Sequence, residues 1–304
     1  MPETAISLSQ VSKAYRNHRA VKSLDLEVPA GSVYGFIGPN GSGKTTTIRM
    51  ILNIVQPDEG RIEIFGQTHQ GPAANDRIGY LPEERGLYRK MTINRLLHYY
   101  AGLKGIRPAD ARAIIEDWLD RMNLSEWRNR KIEALSKGMA QKIQFIAAAI
   151  NQPRLLILDE PFSGLDPVNK DVIREAIFEL KRRGTTLVFS THDMNTAEDL
   201  CDFIFMIFNG CKVLDGTLKS IQETHGRDTI RLHYESRTRP LSGIPGLKVL
   251  KTEESMAEIR YDGDSQALLQ QLAASGRIHH FETVKPSLHD IFVRIAVEGE
   301  KQTA

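Results

Sequence analysis

Two short stretches of the chain carry residue types and spacings that suit phosphate chemistry. Gly38 to Thr45 reads GPNGSGKT, with an apolar run before it and a helix-like pattern after it. Its glycines let backbone N–H groups turn inward around phosphate oxygens, and the following helix N-terminus adds the positive end of its dipole. Lys44 would reach the β- and γ-phosphates, and the Thr45 hydroxyl would ligate Mg²⁺. The stretch predicts nucleotide binding, which kinases, GTPases, motors and transporters share.

The second stretch, LLILDEP at residues 155–161, narrows the chemistry. Four apolar residues predict a buried strand whose end presents Asp159, placed to hold magnesium through water. Glu160 follows directly and is placed to act as general base on an attacking water. A GTPase or small-molecule kinase would not need this adjacent acidic pair. His192, in STHD after the next predicted strand, could contact a γ-phosphate and help to hold the water.

The elements that must position these residues form an alternating α/β pattern. Residues 33–38 predict a short apolar strand, and residues 155–159 and 186–191 are apolar runs typical of buried parallel strands. Predicted helices at 45–55 and about 168–183 follow the first two strands. Residues 6–15 and 24–28 predict two further strands, and residues from about 92 to 151 have a helical pattern. After about residue 218 the order becomes strand–strand–helix–strand–helix, which predicts a small α+β domain.

Composition restricts the function classes. The 304 residues are 41% hydrophobic and 26% charged, with a formal net charge of +2, so the chain is globular and we expect no nucleic-acid partner. The longest apolar runs, 145–150 and 203–208, fall far short of the roughly 20 residues that span a bilayer. The start lacks a signal-peptide pattern, and two cysteines provide no disulfide framework. These features predict a soluble, cytosolic protein.

Seven sequence elements, in this order, resemble the ATP-binding-cassette ATPases. They are Tyr15, GPNGSGKTT, GYLPE, LSKGM, LLILDEP, SGLD and His192. The resemblance covers about residues 5–218 and implies a P-loop NTPase, with a RecA-like core, an antiparallel β subdomain and a helical subdomain at about 87–150. We therefore expect an ATP-binding domain at 1–218 and a C-terminal α+β accessory domain at 219–304.

The resemblance implies ATP and Mg²⁺ as ligands and assigns roles to individual residues. The residues implied to bind the phosphates are Gly38, Pro39, Asn40, Gly41, Ser42, Gly43, Lys44, Thr45 and Thr46. Those implied to hold magnesium are Thr45, Glu83 and Asp159, and those implied to act in catalysis are Lys44, Glu160 and His192. Tyr15 resembles the aromatic residue that stacks on adenine; alternatively, it packs on the sheet at a strand end.

The family also implies two composite sites, each between the P-loop of one subunit and the LSKGM turn of another. The chain holds one set of motifs, so we expect it to work with a second ATPase subunit, identical or homologous. Ser136 and Gly138 would supply a hydroxyl, a backbone N–H and a helix N-terminus to the opposed γ-phosphate. Ser163 and Asp166 would lie at the interface, with Asp166 near the nucleotide.

Two departures from the family pattern occur together. Glu83 stands where the family has glutamine; it keeps an oxygen ligand and adds a negative charge, so we expect activity to be retained. In LSKGM, Lys137 replaces a glycine, which requires an ordinary φ, and its cation is either solvated or close to phosphate. Met139 replaces a glutamine and removes an amide.

GYLPEERGLY, LSKGM and the tail segment KPSLHDIFV look like the sodium-exporter-type (NatA-like) ATPases of bacterial export systems. This resemblance implies a subunit that energises a separate membrane permease, in the export direction, from a peripheral position on the inner face of the cell membrane. The permease would dock near the Glu83 loop and the helical subdomain. Met91 to Tyr100 is a candidate surface, or else its apolar residues are internal packing.

Two questions stay open at this point. The alternative function is a soluble cassette ATPase acting on ribosomes or DNA, although the chain lacks both a second cassette and a coiled-coil insertion. The tail is expected to serve regulation or dimer contact. Its histidines also suggest metal sensing, but their spacing matches no tight ligand pattern. These histidines are His225, His233, His279, His280 and His289.

Overall fold

The computed structural model describes residues 3–16, 18–68, 78–84, 86–225, 229–235, 244–253, 256–261 and 263–303. Arg85, within the GYLPEERGLY motif, lies outside these residues. The chain divides into two compact units, Met1–Gly216 and Thr217–Ala304.

The first unit contains two sheets. The smaller is antiparallel, in the order β2-β1-β4-β5, with strands β1 (Thr4–Tyr15), β2 (His18–Pro29), β4 (Glu59–Ile64) and β5 (Gln67–Thr68). The larger has the order β10-β9-β3-β8-β7-β6, with strands β3 (Val33–Ile37), β6 (Ile78–Leu81), β7 (Leu155–Asp159), β8 (Thr186–Thr191), β9 (Phe203–Phe208) and β10 (Cys211–Gly216). Only β10 pairs antiparallel in the larger sheet.

The central strands of the larger sheet bring the predicted site residues to one edge. Every residue of β3, β7 and β8 is buried, as expected for parallel strands covered on both faces. In the register, Ile37 pairs with Thr191, and Asp159 pairs with Ser190. The carboxyl ends of these strands therefore meet, which is where open parallel sheets bind ligands.

Helices cover both faces of the larger sheet and form a separate helical subdomain. They are α1 (Lys44–Ile51), α2 (Ile93–Leu103), α3 (Pro108–Arg121), α4 (Lys137–Ala149), α5 (Pro167–Arg182) and α6 (Met194–Leu200). Two 3₁₀ turns, Ser125–Trp127 and Ile132–Ala134, link α3 to α4. Pro108 at the first position of α3 and Thr92 at the N-cap of α2 are ordinary helix-start signals.

The alternation of side chains along each central strand divides the core in two. Leu156 and Leu158 of β7 pack with α2 to α5, whereas Leu155 and Ile157 pack with the antiparallel sheet and α1. The helical subdomain and the antiparallel sheet thus attach to opposite faces of the same sheet. The α/β fold and its two subdomains agree with the predicted fold class.

The second unit is an antiparallel sheet with helices, in the strand order β12-β13-β11-β14. Its elements are α7 (Leu218–His225), β11 (Thr229–Glu235), β12 (Leu247–Glu253), β13 (Met256–Tyr261), α8 (Ser265–Ser275), β14 (Arg277–Thr283) and α9 (Leu288–Thr303). Leu232, Ile259, Leu268 and Leu272 form the centre of its core. Throughout the part of the chain that is described, no helix has the length and apolar character that crossing a membrane requires.

The predicted order of the tail omitted α7 and β12. Helix α7 buries only Ile221, so it produces no repeating apolar pattern. Strand β12 leaves Val249 and Leu250 exposed and shifts its register between Val249 and Lys251, which breaks the two-residue alternation. Neither element therefore has the apolar periodicity from which a helix or a strand is predicted.

Candidate functional site

A cavity of about 350 Å³ lies at the carboxyl edge of the central strands. Its lining residues are Tyr15, His18, Ala20, Asn40, Gly41, Gly43, Lys44, Thr45, Thr46, Glu83, Asp159 and Glu160. Tyr15, the glycine-rich loop, Glu83 and the acidic pair thus converge on one space, although they come from four separate segments; LSKGM, SGLD and His192 are not among the lining residues. His18 and Ala20 were missed by the sequence interpretation. Side chains two residues apart on a strand share one face, so His18 and Ala20 lie on the same face of β2. Because they follow Tyr15 closely in the sequence, this alternation could have indicated both residues.

The loop between β3 and α1 depends on glycine at two positions. Gly38 has a φ of 152°, and a Cβ there would lie 2.3 Å from the carbonyl oxygen of Ile207. Gly43 has a φ of 115°, and a Cβ there would lie 2.5 Å from the carbonyl oxygen of Ala20. Both positions combine a left-handed φ with backbone contact, so no other residue fits. The loop is therefore held close against β2 and β9.

Lys44 lies inside this loop and faces the acids across the cavity. Its Nζ donates to the carbonyl oxygens of Gly38, at 2.6 Å, and Pro39, at 3.1 Å. Burial lowers the pKa of the Lys44 ammonium, and the nearby carboxylates oppose that shift. Those carboxylates belong to Glu160, Asp159 and Glu83.

Asp159 ends β7, Glu160 follows it directly, and both residues share a hydrogen-bonding partner in β8. The Ser190 hydroxyl donates to Asp159 Oδ1 and accepts from the Glu160 N–H at 3.0 Å. Asp159 is 1% exposed, and its Oδ2 atom has no hydrogen-bond partner among the described residues. A buried carboxylate oxygen without a donor is costly unless a cation or water satisfies it.

Glu160 has an unusual backbone and a specific partner. Its φ of 51° lies in the left-handed region, which a residue with a Cβ adopts only when its surroundings hold it there. Its Oε1 lies 3.0 Å from Nδ1 of His192, with side-chain exposures of 11% for Glu160 and 61% for His192. The structure therefore brings the predicted base and the predicted histidine into contact.

The LSKGM turn forms the start of α4, outside the cavity lining. The Ser136 side chain caps the helix by accepting from the Met139 N–H at 3.2 Å. Lys137 is the first helical residue and has no left-handed φ, so its backbone needs no glycine. A Cβ on Gly164 would lie 2.1 Å from Lys137 Nζ, which shows that the lysine side chain lies across this chain's own SGLD loop.

The other residues of this region also have partners within the chain. A Cβ on Gly138 would lie 3.0 Å from Nδ2 of Asn169, so Gly138 permits close packing of α4 on α5. Asp166 caps α5 by accepting from the Asn169 N–H at 3.0 Å, and this hydrogen bond lowers the pKa of the Asp166 carboxyl. Met139 packs against the core of the helical subdomain. Ser136, Gly138 and Asp166 thus lie apart from the cavity that contains Lys44.

A second depression, an apolar groove of about 430 Å³, is lined by β6, by the segment that follows α1, and by α2 and α4 of the helical subdomain. Ile54, Tyr80, Leu87 and Tyr100 are among its lining residues, and Ile54 is 59% exposed. Of the predicted docking segment Met91 to Tyr100, the residues Ile93, Leu96 and Leu97 are fully buried. Most apolar residues of that segment are therefore internal packing, and Tyr100 contributes to the groove.

Comparisons with known proteins agree with this arrangement. Residues 21–163 match the family described as ABC transporter, and residues 216–296 match the C-terminal domain of DrrA1-3-like ATP-binding proteins. The chain is similar to the solved structure of the ATP-binding subunit of an ABC transporter, with a TM-score of 0.68 and 30% identity over 72% of this chain and 92% of that chain.

Three curated relatives extend the similarity. The ABC transporter ATP-binding protein YhaQ of Bacillus subtilis (strain 168) is 41% identical over 290 residues, 95% of this chain and 97% of YhaQ. NatA of the same organism is 35% identical over 239 residues, 76% of this chain and 97% of NatA. The daunorubicin/doxorubicin resistance ATP-binding protein DrrA of Streptomyces peucetius is 31% identical over 306 residues, 97% of this chain and 93% of DrrA.

The resemblance inferred from the sequence motifs is thereby confirmed. With a glycine-rich loop, paired acids and a histidine around one cavity, and with relatives that match almost its whole length, the chain belongs to the ATP-binding proteins of ABC transporters, a family that binds and hydrolyses ATP to power transport.

Proposed function

We propose that this chain binds ATP in the cavity around Lys44 and hydrolyses it with Glu160 as the general base. The observation that carries the proposal is the contact between Glu160 and His192 at 3.0 Å, at the edge of a cavity that also contains Lys44 and Asp159. A base must reach the proton that it abstracts and must itself be oriented. The left-handed backbone of Glu160 and the His192 contact together fix its position.

The loop residues would bind the triphosphate. Its backbone N–H groups and the N-terminus of α1 offer donors to phosphate oxygens, and Lys44 would exchange its two carbonyl partners for the β- and γ-phosphates. Tyr15 lines the same cavity with 45% of its surface exposed. Its ring is therefore accessible for stacking on adenine, beside His18.

Three oxygen donors of the cavity fit a magnesium ion. The strongest indication is the Oδ2 of buried Asp159, which has no partner in the part of the chain that is described and which a cation would satisfy. The Thr45 hydroxyl and the Glu83 carboxylate would complete the protein ligands, and hard oxygen donors are those that Mg²⁺ prefers. When bound, the ion neutralises charge on the phosphate oxygens. A carboxylate at position 83 satisfies this preference as well as an amide does.

In the hydrolytic step, Glu160 would accept a proton from the water that attacks the γ-phosphorus. His192 would keep Glu160 oriented through Nδ1 and present its exposed ring edge to the γ-phosphate. Lys44 would stabilise the charge that develops on the transferred phosphoryl group. Ser190 hydrogen-bonds to the backbone N–H of Glu160 and to one oxygen of Asp159, so it would keep the base and the magnesium ligand in fixed positions relative to each other.

Glu160→Gln tests the proposal. Because the amide keeps the shape of glutamate and cannot accept the proton, we expect turnover to fall by about 10²- to 10⁴-fold while the ATP dissociation constant stays close to that of the wild type. Turnover is measured by phosphate release, and affinity with a fluorescent ATP analogue.

The matched control is Glu175→Gln, an exposed acid on α5 that does not line the cavity. It should leave both quantities unchanged. Wild-type turnover in Glu160→Gln would disprove the role of Glu160 as base, and loss of nucleotide binding would instead assign Glu160 to binding.

Two copies of the chain, or this chain and a homologue, would complete each site. Ser136 is exposed at the N-terminus of α4, and it uses its oxygen to accept from Met139, so its hydroxyl hydrogen can be donated outward. The helix N-terminus at this point favours an anion. Both features support a turn that binds the γ-phosphate held by an opposed subunit, with Ser163 and Asp166 nearby.

The membrane partner would be a permease that docks in the apolar groove. The groove contains the exposed Ile54 and the partly buried Tyr100, and it lies next to the loop that carries Glu83. An exposed apolar surface of this kind fits a short amphipathic helix of a partner. We propose that the chain energises such a permease from the inner face of the cell membrane, and its 32% identity over 297 residues to the Nod factor export ATP-binding protein I of Sinorhizobium fredii supports the export direction.

A further inference from the structure

A group of three side chains in the second unit offers metal-ligating atoms far from the nucleotide cavity along the chain. His233 and Glu235 lie two residues apart on β11, so they share one face of the sheet. His279 belongs to β14, the neighbouring strand. In the register His233 pairs with His280, and Tyr234 pairs with Ile278, so His279 is the extra residue of a β-bulge. Bulges re-aim side chains, and here the bulge places His279 beside His233.

The distances between these side chains are close to those of metal ligands. One donor atom from each of His233, Glu235 and His279 lies within 4.8 Å of the others. The Nε2 atom of His279 is 3.4 Å from Oε2 of Glu235, and the two imidazole rings have centroids 4.6 Å apart. A tetrahedral zinc ion with bonds of about 2.0–2.1 Å separates its ligand atoms by roughly 3.3 Å. The His279–Glu235 pair already has this spacing, and rotation of His233 would complete the set.

One ring nitrogen of His233 is available as a ligand. Its Nε2 atom is buried and has no hydrogen-bond partner among the described residues. A buried imidazole nitrogen without a partner carries a desolvation cost, which a metal ion or another bound group would offset. His280, adjacent to His279, differs in this respect because its Nε2 lies 3.2 Å from Oε2 of Glu282.

We propose that His233, Glu235 and His279 bind a divalent transition-metal ion, with Zn²⁺ as the ion that the donors favour. Two imidazoles and one carboxylate form a common zinc ligand set that leaves a fourth position for water or another ligand. Mg²⁺ prefers oxygen ligands alone, so this site and the nucleotide cavity select different ions. Of the five histidines noted in the tail sequence, the site uses two.

Isothermal titration calorimetry of the full-length chain with Zn²⁺ tests the proposal. Excess Mg²⁺ and the absence of nucleotide limit the binding of Zn²⁺ to the acidic residues of the cavity around Lys44. The variant Asp159→Asn shows whether any Zn²⁺ still binds in that cavity. The test variants are His279→Gln and Glu235→Gln, and the matched control is His280→Gln on the same strand. We expect one Zn²⁺ per chain in the wild type, in His280→Gln and in Asp159→Asn. Loss of one ligand should weaken binding by about tenfold or more.

Equal affinity in His279→Gln and the wild type would overturn the proposal. The proposal would also be overturned if Asp159→Asn lost the zinc binding of the wild type, or if the wild type bound no zinc. In either case His279 and Glu235 would form only an ion pair. Both side chains are partly or largely exposed, with values of 34% and 64%, so the substitutions should leave the fold intact, as circular dichroism can verify. Co²⁺ gives a second readout, since its visible absorption should change in Glu235→Gln and persist in His280→Gln.

Discussion

Ser190 sits between the two acids on which hydrolysis is proposed to depend. Its hydroxyl is fully buried, donates to Asp159 and accepts from the backbone N–H of Glu160. One side chain thus positions both the proposed magnesium ligand and the backbone of the proposed base. Ser190 lies near the end of β8 and 30 residues from Glu160 in the sequence, so the contact depends on the parallel pairing of β7 and β8.

Ser190→Ala should therefore damage catalysis more than nucleotide binding. Asp159 Oδ1 and the Glu160 N–H would both lose their partner, at a cost of about 1–3 kcal/mol of unfolding free energy for each buried group. Release of Glu160 from its left-handed backbone would lower turnover by about 10- to 100-fold. Phosphate release, nucleotide titration and urea unfolding measure the three quantities.

Ser32→Ala is the control for this variant. Ser32 is also a buried serine, and its hydroxyl donates to the Pro29 carbonyl at 2.6 Å, away from the cavity. It should lose stability and keep turnover. Equal turnover in both variants would show that Ser190 has only a structural role.

At the scale of elements, α4 connects the LSKGM turn to the rest of the site. Gln141 donates to the Pro161 carbonyl at 3.2 Å, next to Glu160, and Lys142 donates to the Met122 carbonyl at 2.7 Å. Both side chains are buried, so the helix is anchored at each side. Displacement of the turn by an opposed nucleotide would therefore reach the backbone that carries Glu160.

The two roles of Ser136, cap and proposed phosphate donor, can be separated by substitution. Aspartate is as good an N-cap as serine, whereas alanine costs about 1 kcal/mol at such a position. Ser136→Asp should keep the melting temperature but repel an opposed γ-phosphate. We expect it to abolish dimerisation by ATP in the Glu160→Gln background, as measured by size-exclusion chromatography with light scattering.

Ser136→Ala provides the comparison: it should lose stability and retain more of the dimer than Ser136→Asp does. A dimer of normal affinity in Ser136→Asp would place the turn away from phosphate. Thr92→Asp, at the N-cap of α2, controls for the added charge.

At the scale of the whole molecule, each unit has a core of its own, and both proposed protein interfaces belong to the first unit. The LSKGM turn would face a second ATPase subunit, and the apolar groove would face the permease. The second unit carries the candidate metal ligands.

Ile54→Asp tests the groove as the permease site. Binding of an apolar helix would have to bury the new carboxylate, which is strongly unfavourable without a partner charge. We expect loss of the permease from affinity purification of the co-expressed pair, with unchanged ATP hydrolysis by the isolated chain. Leu250→Asp, an exposed apolar residue of the second unit, should purify with the permease as the wild type does. If both variants retain the permease, the groove is not its docking site.

Local sequence determined the family and the positions of its main elements. GPNGSGKT, LLILDEP and LSKGM could be interpreted because each acts through a few consecutive residues, and the buried strands around them are short, continuous apolar runs. Glycines with positive φ and caps such as Ser136 follow from short-range sterics and hydrogen bonding. For the same reason the alternating strands and helices and the helical pattern from about 92 to 151 were predictable, whereas the division into subdomains was implied by the family resemblance.

Tertiary structure alone decided which distant residues meet. Ser190 joins Asp159 to Glu160, His18 lines the cavity around Lys44, and Lys137 lies across Gly164 because of how elements pack. His279 contacts Glu235 only because a bulge adds one residue to β14. No periodicity in the sequence predicts this extra residue. Contacts of this kind depend on strand register and side-chain direction. These are set by the global balance of packing and hydrogen bonding rather than by neighbouring residues.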